Sequence, residues 1–191
     1  RRLRNLALGL LMQLDEPEIR ALCLNQFQSS DNMTDRMAAL RTLAQWDCPE
    51  RRTALEAFEA QWRQDPLVMD KWFAVQAGAR LPGTLDEVKR LMGHPAFSLR
   101  NPNKVRSLIG AFCSGNTIGF HAADGAGYRF LADVVLDIEA AERLDEIGGA
   151  LRTAVVQRLP VDGVNGKGVS QVQGHRPAHT PRWARVPGHG N

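Results

Sequence analysis

No stretch of this chain approaches the roughly 18 consecutive apolar residues that a bilayer-spanning helix needs, which argues against a membrane protein. The opening Arg1-Arg2-Leu3-Arg4 has no initiator methionine and too short an apolar core for a secretory signal, so the chain reads as cut from something longer. Cysteines are few: Cys23, Cys48 and Cys113 are odd in number, far apart and never in a Cys-x-x-Cys pair, against both a structural zinc site and a disulfide framework. Cys23 and Cys113 fall on apolar helix faces and read as small hydrophobes, a usage that fits a reducing cytoplasm. Catalytic signatures are missing too. There is no His-Glu-x-x-His, no Gly-x-Ser-x-Gly and no phosphate-binding glycine loop, so the chain does not read as a catalyst by itself. The net charge of +3 is small, and up to about Leu159 the basic residues are interleaved with nearly as many acidic ones. The excess sits in the last thirty or so residues, without the aromatic platforms that nucleic-acid binding generally uses.

What is present is helical. Ile19, Cys23 and Phe27, then Leu55, Phe58 and Trp62, then Leu85, Val88 and Met92, recur at spacings of three and four, and Val105, Leu108, Ile109 and Phe112 form one more stripe. Helix starts are punctuated by Asp15 or Glu16 before Pro17, Cys48 before Pro49, and Asn101 before Pro102, since proline in a first turn forfeits no internal hydrogen bond. Thr84-Leu85-Asp86-Glu87 reads as a capping box led by Thr84. The pattern predicts helices near 2–14, 17–29, 33–46, 50–64, 67–79, 85–93, 102–114 and 127–138. With short links these must pack as antiparallel neighbours, giving an all-α, irregular array of helix pairs, a HEAT/armadillo-like solenoid bowl.

Residues 1–138 form the expected helical-pair domain, 139–159 a divergent segment with helical spacing weakened by Gly148-Gly149, and 160–191 a glycine- and proline-rich tail expected to be disordered.

Among candidate functional residues, Asp31 or Asn32 reads as the cap of the next helix, with Asp35 favoured there by the helix dipole. Asp70 and Lys71 read as a solvent ion pair beside core aromatics. His94 and His121 read as histidines bonded to nearby backbone, while His175, His179 and His189 sit in the tail, where Pro177 and Pro181 argue against a helical metal pair. Arg106 stands out. At 100° per residue it lies roughly 110° from the centre of the Val105–Phe112 stripe, on the side of Asn103 and Gly110, bordering the core without entering it. By itself that is a surface arginine with room beside it for fork-like contacts to a carboxylate or peptide carbonyl.

The run Asn101-Pro102-Asn103-Lys104-Val105-Arg106-Ser107-Leu108-Ile109-Gly110-Ala111-Phe112, followed by Phe120 to Tyr128, closely resembles the C-terminal helical domain of bacterial aminopeptidase N, a zinc peptidase family of the thermolysin-like class. Gln26-Phe27, Asp31 to Arg36, Ala38-Ala39-Leu40 and Leu67 to Phe73 are similar to runs in the same order, so the likeness covers about residues 1 to 138. The resemblance implies a non-catalytic domain closing over an upstream catalytic domain of the same polypeptide and controlling peptide access to its zinc site. It implies that Arg106 lines the substrate cavity; no catalytic residue or zinc ligand carries over to this chain. The family's continuation, an Asn-Pro-Gln segment and further charged helices, is absent after Ile138, so the tail reads as an altered reading frame or a truncated end. The alternative reading is a free-standing helical-repeat interaction module.

Overall fold

A computed structural model describes residues 1–158, and the chain divides into two units, 1–131 and 132–191. The disorder expected for 160–191, and the histidines there, lie outside the described residues.

In the first unit the chain forms α1 (Arg2–Leu11), a 3-10 turn (Met12–Leu14), α2 (Pro17–Ser29), α3 (Met33–Leu43), α4 (Pro49–Trp62), α5 (Pro66–Ala77) and α6 (Thr84–Met92). There follow α7 (Pro102–Val105), a π-turn (Arg106–Gly110), α8 (Ala111–Gly115) and α9 (Thr117–Phe120). Among the described residues the last helix is α10, Ala126–Arg158. No strand occurs among the described residues. Helices next to each other in sequence pack together, as α2 with α3 and α4 with α5, and alternate helices also touch, α1 with α3 and α2 with α4. That double adjacency is what a stacked array of helix pairs produces.

Each predicted stripe faces inward where its neighbours supply an apolar surface. Phe27, Phe58 and Trp62 form a ring series with centroids 6.5 and 6.4 Å apart. Trp72, Phe73, His94 and Phe97 form a second cluster, and the Trp72 indole donates to the Leu55 carbonyl at 3.0 Å, joining α5 to α4. Phe112 meets Phe120 and Phe130 edge-on in a third. Phe58, Phe73 and Phe112 are fully buried, each burial being worth about 1.5–3 kcal/mol.

The caps differ in part from the sequence reading. Asn32, rather than Asp31, caps α3 by accepting from the Asp35 amide at 2.9 Å, and Asn101 accepts from the Asn103 amide at 3.0 Å. Asp65 caps α5 through two amides. Glu16 and Cys48 make no side-chain cap bond. The capping box at Thr84 does not form: the cap is Gly83, in a left-handed conformation with φ +79°, and Thr84 is already helical. Its hydroxyl instead donates backwards to the Ala79 and Leu81 carbonyls, closing the 79–84 loop. Finally, α10 is one helix of 33 residues through Gly148-Gly149, running on without a break from the helix expected near 127–138 into the segment of helical spacing expected after it. The Glu-, Ala- and Leu-rich sequence around the pair favours helix enough to offset a cost of about 1 kcal/mol per glycine.

Candidate functional site

The Asn101–Phe112 run is built on a buried cation. Lys104 is 5% exposed and sits one turn before Leu108, in line with Leu108 and Phe112. Its Nζ donates to the Pro66 carbonyl and to Asp70 Oδ1, both at 2.7 Å, and lies 5.7 Å from the centroid of the Phe73 ring. The Ser107 hydroxyl adds contacts to Asp70 Oδ1 at 3.4 Å and to the Lys104 carbonyl at 3.0 Å. Thus Asp70 is paired with a residue 34 positions on, correcting the expected solvent pair with Lys71, which is exposed. The sequence stripe placed Val105 inward, yet Val105 is only half-buried and Lys104 takes the inner position. The physical reason is the π-turn beginning at Arg106. The Ala111 amide donates to the Arg106 carbonyl, an i to i+5 bond, and the wider turn rotates the preceding turn relative to the one that follows.

Arg106 is exposed, as its angle to the stripe predicted. Its Nη1 donates to Asn103 Oδ1 at 3.1 Å, and its aliphatic stem lies beside Gly110, where an added methyl would sit 3.7 Å from Cγ. The guanidinium is therefore held at its base by Asn103 and retains free donors on a firmly packed helix. Among the described residues, three of the grooves lie elsewhere. One of about 500 Å³ lies between the 80–86 loop with α6 and residues 116–126; another of about 400 Å³ flanks Asp35; a third, about 310 Å³, includes Arg51 and Glu87. Arg106 lines none of the three.

Two polar centres were not foreseen. Asp35, with a side chain 2% exposed, receives Arg4 at 2.5 Å, Asn5 at 2.9 Å and Asn32 Nδ2 at 3.0 Å, with Arg1 at 4.0 Å. The hydrogen bonds from Asn32 and Asn5, and then the Arg4 and Arg1 charges, hold its carboxyl below the ordinary range. Asn116 is buried, donates to the Ala79 carbonyl at 2.7 Å and accepts from the Gly119 amide at 3.0 Å, so it ties α9 to the loop before α6. Its signal in the sequence is an asparagine just ahead of a short helix, the residue type that caps a first turn.

Among the described residues His94 is bonded to nearby backbone as expected, whereas the partner of the His121 ring is a side chain, Tyr128. The Ala96 amide donates to His94 Nδ1 at 3.1 Å, which puts the proton of the neutral ring on Nε2, 3.3 Å from Glu59, between Trp72 and Phe73. His121 Nδ1 meets the Tyr128 hydroxyl at 2.5 Å. Burial pushes the Cys23 thiol up to about 12 and also raises Cys48 and Cys113, so none presents a ready thiolate. Among the described residues no helix is long and apolar enough to cross a membrane, and no group of three acidic, histidine or cysteine side chains is placed to hold a metal ion.

The fold and this run together define an all-α helical-repeat domain of the armadillo type. The chain belongs to the family described as "Domain of unknown function (DUF3458_C) ARM repeats", whose model matches residues 1–143. It is 39% identical to aminopeptidase N of Escherichia coli over 140 residues, 73% of this chain and 16% of that protein. It is also 39% identical to aminopeptidase N of Caulobacter vibrioides over 155 residues, 78% of this chain and 18% of that one. With aminopeptidase N of Haemophilus influenzae the identity is 40% over 138 residues, 72% and 15% of the two chains. The crystal structure of Legionella pneumophila aminopeptidase A in complex with aspartic acid superposes with a TM-score of 0.69 at 36% identity, over 73% of this chain and 16% of that one. The region is thus homologous to part of a larger aminopeptidase, and the chain spans about a sixth of the length of these relatives.

Proposed function

We propose that this chain is the C-terminal, non-catalytic part of a zinc-dependent aminopeptidase N, enclosing the active-site cavity and governing peptide access, with Arg106 on the cavity wall. The upstream catalytic domain of the same polypeptide is its partner, a peptide its substrate, and a reducing cytoplasm its compartment. Zinc bound in that domain would supply the Lewis acid that activates water; this chain's residues contribute no ligand to it. The observation that carries the reading is Arg106: exposed, fixed by Asn103 and set on a helix locked by Lys104, within a chain about 40% identical to aminopeptidase N. A guanidinium held in this way can bind a carbonyl or the carboxylate end of a peptide without a large ordering cost.

The test places residues 1–143 into E. coli aminopeptidase N in place of its matching segment. Release rates are then measured on a single-residue chromogenic substrate and on peptides of increasing length. Arg106→Ala should lower kcat/KM for peptides by about 10- to 100-fold, the weight of a charged hydrogen bond of about 1.5–3 kcal/mol, and leave the single-residue substrate unchanged. Equal losses on both substrates, or none on either, would sink the cavity-wall role and favour a helical-repeat interaction module.

A further inference from the structure

Because Asp70 pairs with Lys104, the neighbouring Lys71 is left exposed, with no hydrogen bond or ion pair to any described residue. Its place follows from the contacts around Asp70. Lys104 meets Pro66 and Asp70, and Ser107 meets Asp70, so α5 and the run from α7 to α8 begin level and lie side by side in one direction. At about 100° per residue, Leu67 and Lys71 stand about 60° and 100° round α5 from Asp70, in one rotational sense. On the facing segment Asn103 and Arg106 stand about 40° and 100° round from Ser107, in the sense away from Lys104. For helices running the same way, opposite senses on facing sides lead to one surface. Leu67, 70% exposed, and the exposed Lys71 therefore form one wall of a shallow groove. Asn103 and Arg106, both exposed, form the other, with Asp70 and Ser107 at the floor.

The charge of this groove is of one sign. Its floor is neutral, because the Asp70 carboxylate is matched by Lys104, with side chains 19% and 7% exposed. Asp65, at the same end of α5, is occupied by the Leu67 and Val68 amides. Two cations on opposite walls above a neutral floor make a positive cleft, whose complement is a carboxylate. We propose that Lys71 is a second substrate-contacting cation, set across the groove from Arg106, and that the two select peptides carrying a carboxylate beyond the residue being released. The inference rests on the cavity-wall reading of Arg106. The two cations divide the work: Arg106 is held by Asn103 and offers a fixed fork, while the ammonium of Lys71 on its four-carbon stem follows the carboxylate. That carboxylate is the peptide's C-terminus or an aspartate or glutamate side chain, and the chemistry recognised is the same.

The test uses E. coli aminopeptidase N carrying residues 1–143, with Lys71→Met, Lys71→Arg and, as a control for net charge, Arg52→Gln on α4. The substrates are tetrapeptides sharing one first residue, with a free or amidated C-terminus and with glutamate or glutamine at an inner position. Lys71→Met should lower kcat/KM about 3- to 10-fold, through KM, for peptides that carry a carboxylate, a size between that of an exposed ion pair and a charged hydrogen bond. Lys71→Arg should restore most of the loss, and the amidated glutamine peptide and the single-residue substrate should be cleaved as before. A loss confined to free C-termini assigns the chain end as the ligand; a loss that follows glutamate in amidated peptides assigns the side chain. Since Lys71 has no partner in the fold, Lys71→Met should also leave the melting temperature unchanged. An equal loss on every peptide, no loss on any, the same loss in Arg52→Gln, or a lowered melting temperature would overturn the proposal. Lys71→Met without effect beside a peptide-selective loss in Arg106→Ala would sink this inference alone, whereas an inert Arg106→Ala would remove the cavity-wall reading and this inference with it.

Discussion

Asp35 stands near the start of α3, where the helix dipole alone would account for an acidic residue; the structure gives it a larger part. Its carboxylate gathers Arg4 and Asn5 from α1 and the Asn32 amide, so one side chain joins the first helix to the third. These bonds hold its carboxyl below the ordinary value of 3.8, so the folded state binds fewer protons here than the unfolded state. The stabilisation is therefore fully present above about pH 4 and is lost as pH falls through the lower, folded value. Asp35→Asn should flatten the fall of the urea midpoint below about pH 4; parallel profiles for both proteins would contradict this role. The sequence placed Asp35 on the right helix turn, and it could not name partners thirty residues away.

At the scale of elements, the Asn101–Gly115 segment shows how one irregular turn changes what a sequence pattern means. Regular helical spacing placed Val105 inward; the π-turn exchanges it for Lys104 and leaves Arg106 outward with its stem against Gly110. Gly110 has ordinary helical dihedrals, and a methyl there meets nothing closer than 3.7 Å. Gly110→Ala should therefore raise stability by about 0.5–1 kcal/mol through reduced backbone freedom of the unfolded chain. Gly127 is the opposite case. A Cβ there would fall 2.2 Å from the Phe120 carbonyl oxygen, so α9 and the start of α10 approach only because the side chain is absent. Gly127→Ala should cost about 1–3 kcal/mol by forcing that backbone apart. Thermal melts of the two variants should shift in opposite directions, and a shared direction would contradict the local geometry. Both glycines look alike in the sequence, each inside a helical pattern, because a close approach depends on where another element runs.

Across the molecule, the first unit is held by aromatic clusters between neighbouring helices and by a few polar links that span long stretches of sequence. The Lys104–Asp70 pair is the most consequential, since it fastens the run bearing Arg106 to the N-terminal end of α5. Lys104→Met keeps the stem and removes the charge, leaving Asp70 and the Pro66 carbonyl without their donor. It should lower unfolding free energy by about 2–4 kcal/mol in urea titration; a loss within experimental scatter would show the pair to be dispensable. Helix positions, lengths and inward faces were legible from the sequence because they depend on residues three and four apart, a distance at which side-chain chemistry acts locally. The helical-array class followed, since short links leave amphipathic helices no partners but their neighbours. The likeness to aminopeptidase N was legible for the same reason: it is carried by contiguous runs. Tertiary structure alone decided that Lys104 replaces Val105 in the core, that Asp35 is a junction and that Thr84 closes a loop instead of capping a helix. It also decided which leucines of α1 are left uncovered. Each of these depends on which groups meet across gaps of five to thirty-eight residues, and such meetings follow from the packing of whole helices, which no local pattern encodes.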